Sequence, residues 1–129
     1  MARVKVVSLA GETTECDLAE VMKRASFRDD QDCNYIGVFL VSGRRFPCMI
    51  VYFKGECAVV VYFRDEDSGT WLLTSDSSTD IDEIEFLSPF EGYDTFTGDF
   101  IVSSATAIKF LEAFATGVPW PELPFWETL

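Results

Sequence analysis

Polar and apolar positions alternate from Arg3 through Val4 and Lys5 to Val6, the period of a half-buried strand, and predict an edge strand there. Thr14 followed by Asp17 reads as a capping box. Leu18, Val21, Met22 and Ala25 then recur at i, i+3, i+4 and i+7, one face of a helix whose wet side carries Glu20, Lys23 and Arg24. Residues 28–33, with Asp29, Asp30 and Asp32, read as a loop. Three runs follow at 35–41, 46–53 and 57–63, separated by Ser42-Gly43-Arg44-Arg45 and Lys54-Gly55-Glu56, and short Gly-bearing spacers between such runs predict hairpins. These runs are almost continuously apolar, so both faces of their sheet must be covered. Helices suit one face; the other needs a second layer, a folded-back tail or a partner.

A further strand is expected at 70–74, then a polar, acidic stretch to Asp82. Short apolar patches among Pro89, Gly92 and Gly98 predict two short strands and a loop within 83–102. Ser103 or Ser104 should cap a helix whose stripe is Ala107, Ile108, Leu111, Phe114 and Ala115, with Gly117 ending it and Pro119 just beyond. The tail at 118–127 is held extended by its prolines, is rich in rings, and is expected to pack on its own domain. The fold class these elements predict is α+β: a single domain over 1–129, a largely antiparallel β-meander sheet with two helices packed on it and an aromatic, Pro-rich C-terminal tail.

Composition narrows the function. A chain of 129 residues is one domain by default and buries a core without staples. Its 48% apolar and 15% aromatic content argues against disorder. The absence of a spanning apolar run or a signal-peptide core leads us to expect a cytoplasmic protein without membrane contact. Cys16, Cys33, Cys48 and Cys57 form no Cys-x-x-Cys pair and are expected to be reduced. With no histidine in the chain, Ser-His-Asp, Cys-His and His-based metal sites are closed. Neither Gly-rich phosphate cradle is present. Asp65-Glu66-Asp67-Ser68-Gly69 opens like a calcium loop, but position twelve is Asp76 where glutamate is required. No catalytic residue, metal, cofactor or small-molecule substrate is therefore expected.

Charge is the informative feature. Residues 1–64 hold eight acids and nine bases, net +1, whereas residues 65–129 hold fourteen acids and only Lys109, net −13. The Arg44-Arg45 and Asp65-Glu66-Asp67 turns fall at one end of a meander, where some mutual pairing is expected. The excess would speed association with a basic partner and repel phosphates, which disfavours nucleic-acid binding. Trp71, Phe86, Phe90, Tyr93, Phe96 and Phe100 interleave with the acids. Most of these rings suit the core, but Trp and Tyr are also typical interface anchors. Asp65, Glu66, Asp67, Trp71, Asp80, Asp82, Glu83, Glu85 and Tyr93 are accordingly the candidate partner-binding residues.

A strand at 100–102, a helix at 104–116 with Phe114, the stop at Gly117, Pro119 or Pro121, and the terminal Trp126-Glu127 carry a family resemblance. The apolar run Ala58-Val59-Val60-Val61-Tyr62-Phe63 ahead of the 65–69 turn adds to it. Over about residues 34–127 the chain resembles the first-numbered immunity-protein family of bacterial polymorphic toxin systems. The resemblance implies a small cytoplasmic protein that binds and blocks a cognate toxin domain, prominently a nucleic-acid deaminase or nuclease. Such enzymes bind polyanions, so an acidic, aromatic inhibitor suits their basic clefts: carboxylates take the phosphate sites while a ring enters the base pocket. Trp126 is expected to close the core beneath the tail. Two other readings remain open. An adaptor or secretion chaperone would use the same acidic face, and a glycoside-cleaving enzyme would need two of Asp80, Asp82, Glu83 and Glu85 together in a cleft.

Overall fold

A computed structural model of the chain describes residues 4–9, 11–40, 47–63, 70–73, 83–88, 92–116 and 126–128. The turns at 42–45 and 64–69, the acidic stretch at 75–82, the helix stop at Gly117 and the tail at 118–125 lie outside the described residues. The fold is α+β. Strands β1 (Val4–Ser8) and β2 (Thr13–Cys16) precede helix α1 (Leu18–Ala25); β3 (Cys33–Leu40), β4 (Cys48–Lys54), β5 (Cys57–Phe63) and β6 (Thr70–Leu73) follow. Then come β7 (Glu83–Ser88), β8 (Gly92–Thr97), a 3-10 turn (Gly98–Phe100), β9 (Val102–Ser103), α2 (Ser104–Thr116) and β10 (Trp126–Thr128). The main sheet runs β10-β6-β5-β4-β3-β1-β2, with β9 beside the start of β5 and every neighbour antiparallel. β7 and β8 form a separate two-stranded sheet.

Two expectations about the N-terminal end are corrected. β1 is an interior strand, pairing Val6 with Val38 of β3 and with Thr14 of β2, so β2 is the edge. Thr14 consequently lies in a strand and does not cap the helix. The cap is Asp17, extended at φ −87° and ψ 176°, whose carboxylate accepts from the Glu20 N–H at 3.0 Å. An Asp at that position satisfies an orphan amide and places negative charge at the positive end of the helix. Lys23 and Arg24 fall in the last turn, and Arg24 Nε bonds Glu20 Oε1 at 3.2 Å.

The helices cover one face of the sheet. Val21 and Ala25 of α1 and Ala107, Leu111, Phe114 and Ala115 of α2 are buried against the inward residues of β1, β3, β4 and β5. The ring of Phe114 meets Tyr62 edge-on at 6.2 Å. Ser103 supplies the α2 cap, its Oγ accepting from the Thr106 N–H at 3.1 Å. The β4–β5 hairpin turns at Gly55, whose φ of +58° is left-handed. A Cβ there would meet Asp32 Oδ2 at 2.7 Å, but that is the end of an exposed side chain that can turn aside, so the left-handed backbone is what favours glycine.

The opposite face is covered by the β7–β8 hairpin. Phe86, fully buried, and Ile101 join Tyr35, Tyr52, Val59, Val61 and Leu72 in a second core, with Ile84, Phe96 and Phe100 packed at its margin. The continuous hydrophobicity of the central strands thus has its cause: one face sits under helices and the other under a second β layer. The chain end returns to the sheet as β10, whose Trp126, Glu127 and Thr128 pair by backbone with Leu73, Leu72 and Trp71 of β6.

Candidate partner-binding surface

The hairpin places its residues by strand alternation. Ile84 and Phe86 of β7 and Asp94 and Phe96 of β8 turn toward the sheet, so Glu83, Glu85 and Leu87 and their cross-strand partners Thr97, Thr95 and Tyr93 stand on the outer side. Glu83 and Glu85 are exposed, and Tyr93 is 54% exposed, one of the most exposed large apolar side chains among the described residues. Three candidate residues therefore share one face of one element. Trp71 lies in β6, opposite Tyr62 and Thr128 by backbone. Asp65, Glu66, Asp67, Asp80 and Asp82 fall outside the described residues.

A second group adjoins this face. Tyr93 Oη donates to Gln31 Oε1 at 3.4 Å, joining the hairpin tip to the loop between α1 and β3. Asp29 organises that loop: its Oδ1 accepts from the Gln31 and Cys33 N–H groups, both at 2.9 Å, while Asp30 and Asp32 remain exposed. Asp32 sits at φ +63°, its carbonyl accepting from Gly55 N at 2.8 Å. Arg28 braces the same corner by donating to the carbonyls of Ala25, Phe27 and Gly55, with its guanidinium 4.4 Å from the Phe53 ring centre. Burial lowers the Arg28 pKa, with Asp32 and Glu56 opposing the shift. Asn34, buried, donates to Arg24 O at 2.7 Å and so answers a carbonyl at the α1 C-terminus.

Beneath the hairpin, Tyr52 of β4 donates from Oη to Asp94 Oδ2 at 2.7 Å. Burial is the main cause that pushes the Tyr52 pKa well above the phenol range, and the bond to Asp94 and that carboxylate's charge add to it. Tyr35, edge-on to Tyr52 at 5.2 Å, is pushed up to about 12, chiefly by burial. Both phenols stay protonated near neutral pH, so Tyr52 remains a donor. A cleft of about 290 Å³ opens beside this pair, lined by Tyr52, Val61, Phe63, Leu72, Asp94, Thr95 and Phe96. The candidate list did not include Asp94. The strand alternation of 92–97 held the signal, since it sets a carboxylate on the same side as Phe96.

The arrangement can attract cations and present a ring. Among the described residues, neither this cleft nor the one of about 220 Å³ beside Arg24 and Phe27 brings two carboxylates together. Among the described residues no group of three or more Cys, Asp or Glu is placed to hold a metal ion, and no helix is long and apolar enough to cross a membrane. All four cysteines are free; Cys16, Cys33 and Cys48 are buried and Cys57 half-buried. No protein-family model and no curated protein matches the chain.

Proposed function

We propose that this chain is an immunity protein, a cytoplasmic inhibitor that binds a cognate bacterial toxin domain one to one and occludes its active site without any catalysis of its own. The observation that carries this reading is the outer face of the β7–β8 hairpin, where Glu83, Glu85 and Tyr93 stand together in a chain half of net charge −13. Carboxylates spaced along a strand beside an exposed ring imitate what a nucleic-acid enzyme binds, phosphate charge and a stackable plane. A deaminase or nuclease with a basic cleft is therefore the favoured target. The family resemblance over about residues 34–127 supports the same reading.

The test is to draw the tagged chain from lysate of its native cells at low and high salt, identify what co-elutes, and assay that partner bound and free. The expected result is a basic toxin domain in equal amount, inactive in the complex and released more readily by salt. A partner that keeps its full activity while bound overturns inhibition in favour of an adaptor. The combined variant Glu83→Gln, Glu85→Gln and Tyr93→Ala should fold normally, because these side chains are exposed, and should associate more slowly. Unchanged protection of cells by that variant removes this face from the mechanism.

A further inference from the structure

The cleft between β8 and strands β5 and β6 joins an oriented carboxylate to apolar and aromatic walls. Its walls are Val61, Phe63, Leu72 and Phe96, its polar floor is the Tyr52–Asp94 pair, and Thr95 lies at its rim. From these residues we infer that it is a receptor for one cationic side chain, an arginine guanidinium, presented by the basic partner of the proposed function.

Four features select that ligand. The first is charge: the described residues lining the cleft include one carboxylate and no cationic side chain, so on their account anions are repelled and a cation is attracted. The second is orientation. Tyr52 occupies Asp94 Oδ2 at 2.7 Å and thereby fixes the carboxylate, while Oδ1 is turned to no described donor and is free to accept an N–H. The third is the ring content. Tyr52 and Phe96 stand 5.1 Å apart with their planes inclined at 56°, surfaces on which a flat, weakly hydrated guanidinium gains cation–π contact. Lysine, a compact and strongly hydrated ammonium with three donors to satisfy, gains less from one free oxygen and apolar walls. The fourth is size. At about 290 Å³ the cleft falls at the lower bound of small-molecule pockets, roughly 300–1,000 Å³, and suits a single inserted side chain.

The fold explains why such a site exists. A two-stranded hairpin is narrower than the sheet it covers, and β7 lies over β3 and β4. The second core is therefore left with a flank along β8, facing β5 and β6, where an inward carboxylate meets apolar residues. The inference rests on the partner being basic, and it places a specific pocket next to the exposed acidic face.

The experiment is an amide NMR titration of the whole, isotope-labelled chain with N-acetyl-arginine methylamide, using the uncharged citrulline analogue of the same shape as the control. Expected are saturable shifts confined to the cleft, at Val61, Leu72, Thr95 and Phe96, with little response to citrulline. Asp94→Asn, which keeps the shape and a hydrogen-bond acceptor for Tyr52, should weaken binding about tenfold or more. Tyr52→Phe keeps the charge but frees the carboxylate to turn, and should weaken binding less than Asp94→Asn does, whereas a merely structural role for the pair would make the two variants behave alike. Phe96→Leu, which removes a ring but keeps an apolar wall, should weaken binding a few-fold. Absence of shifts up to the solubility limit, an equal response to citrulline, or unchanged affinity in Asp94→Asn and Phe96→Leu overturns the inference. Because the probe is a single capped residue, such a failure is separate from failure of the immunity reading, which the activity of the bound toxin decides.

Discussion

Truncating Phe86 tests whether the hairpin that carries the proposed binding face is a separable layer. Phe86 is fully buried, meets Tyr52 edge-on at 6.2 Å and Phe96 at 6.0 Å, and is the largest side chain that β7 buries in the second core. Phe86→Ala should cost about 3–5 kcal/mol from lost transfer energy and the cavity left behind. The two aromatic pairs belong within that figure, since each is worth about 0.5–1.5 kcal/mol beyond area. Three polar ties among the described residues remain to hold the hairpin, Tyr52 to Asp94 at 2.7 Å, and the exposed bonds of Lys54 Nζ to Glu85 O and Tyr93 Oη to Gln31 Oε1, both at 3.4 Å. An isolated two-stranded hairpin is marginal in water, so it lacks stability of its own to resist undocking. None of these groups belongs to the helix-side core. Native-state hydrogen exchange read by mass spectrometry is the assay. In the variant, peptides over 83–97 should exchange by a local opening several kcal/mol below global unfolding, while β3, β4 and α2 keep their relative protection. If hairpin and central strands instead lose protection together, the second layer is not a separate unit and the reasoning fails.

Other substitutions probe the parts that position the site. Gly55→Ala, at φ +58°, and Gly92→Ala, at φ +83° with open space around it, should each cost about 1–2 kcal/mol from left-handed strain, because Asp32, exposed, can turn its carboxylate away from the new Cβ. A urea midpoint for Gly55→Ala far below that of Gly92→Ala would show instead that Asp32 is held in place. Asp17→Ala should cost about 1 kcal/mol by removing the α1 cap, and no change in melting temperature would restore Thr14 as the cap. Stability should fall as pH rises from about 10, because Tyr35, at about 12, and Tyr52 hold their protons more tightly folded than unfolded. That contribution is complete below the unfolded pKa and is lost through the folded one, so Tyr35→Phe should flatten the decline of the urea midpoint between pH 10 and pH 12.

What the sequence disclosed, and what it hid, follows from how locally each feature is determined. The β4–β5 hairpin was legible because Gly55 stands between two apolar runs and its turn is settled by a few neighbouring residues. The stripe of α2 was legible for the same reason, its period written into 104–116. β2 was not: Thr13, Thr14, Glu15 and Cys16 bury only Cys16, and a polar edge strand directly before a helix carries the same residue types as a helix cap. Continuous apolar strands foretold a covered second face, but what covers it is a long-range pairing that no local pattern encodes. Glu83, Glu85 and Tyr93 were chosen for charge and ring character, and the alternation of a hairpin then set them side by side. Asp94 was passed over because its meaning depends on Tyr52, 42 positions away.

The two sides of the hairpin divide recognition in the proposed reading. Glu83 and Glu85 are exposed, and charges in that setting act at long range, accelerate encounter and are screened by salt, while contributing little to the lifetime of a complex. Asp94 is different in kind, since it is half-buried, oriented by a buried phenol and flanked by rings. A cation seated there is desolvated, and its loss is felt in the dissociation rate. Neutralising the outer carboxylates should therefore lower kon and flatten its salt dependence with koff nearly unchanged. Asp94→Asn should raise koff at nearly constant kon. Both constants are readable by surface-immobilised kinetics with the toxin domain recovered from cells. If both sets of variants alter kon alone, the hairpin acts only as a charged surface and the inner cleft takes no part in recognition.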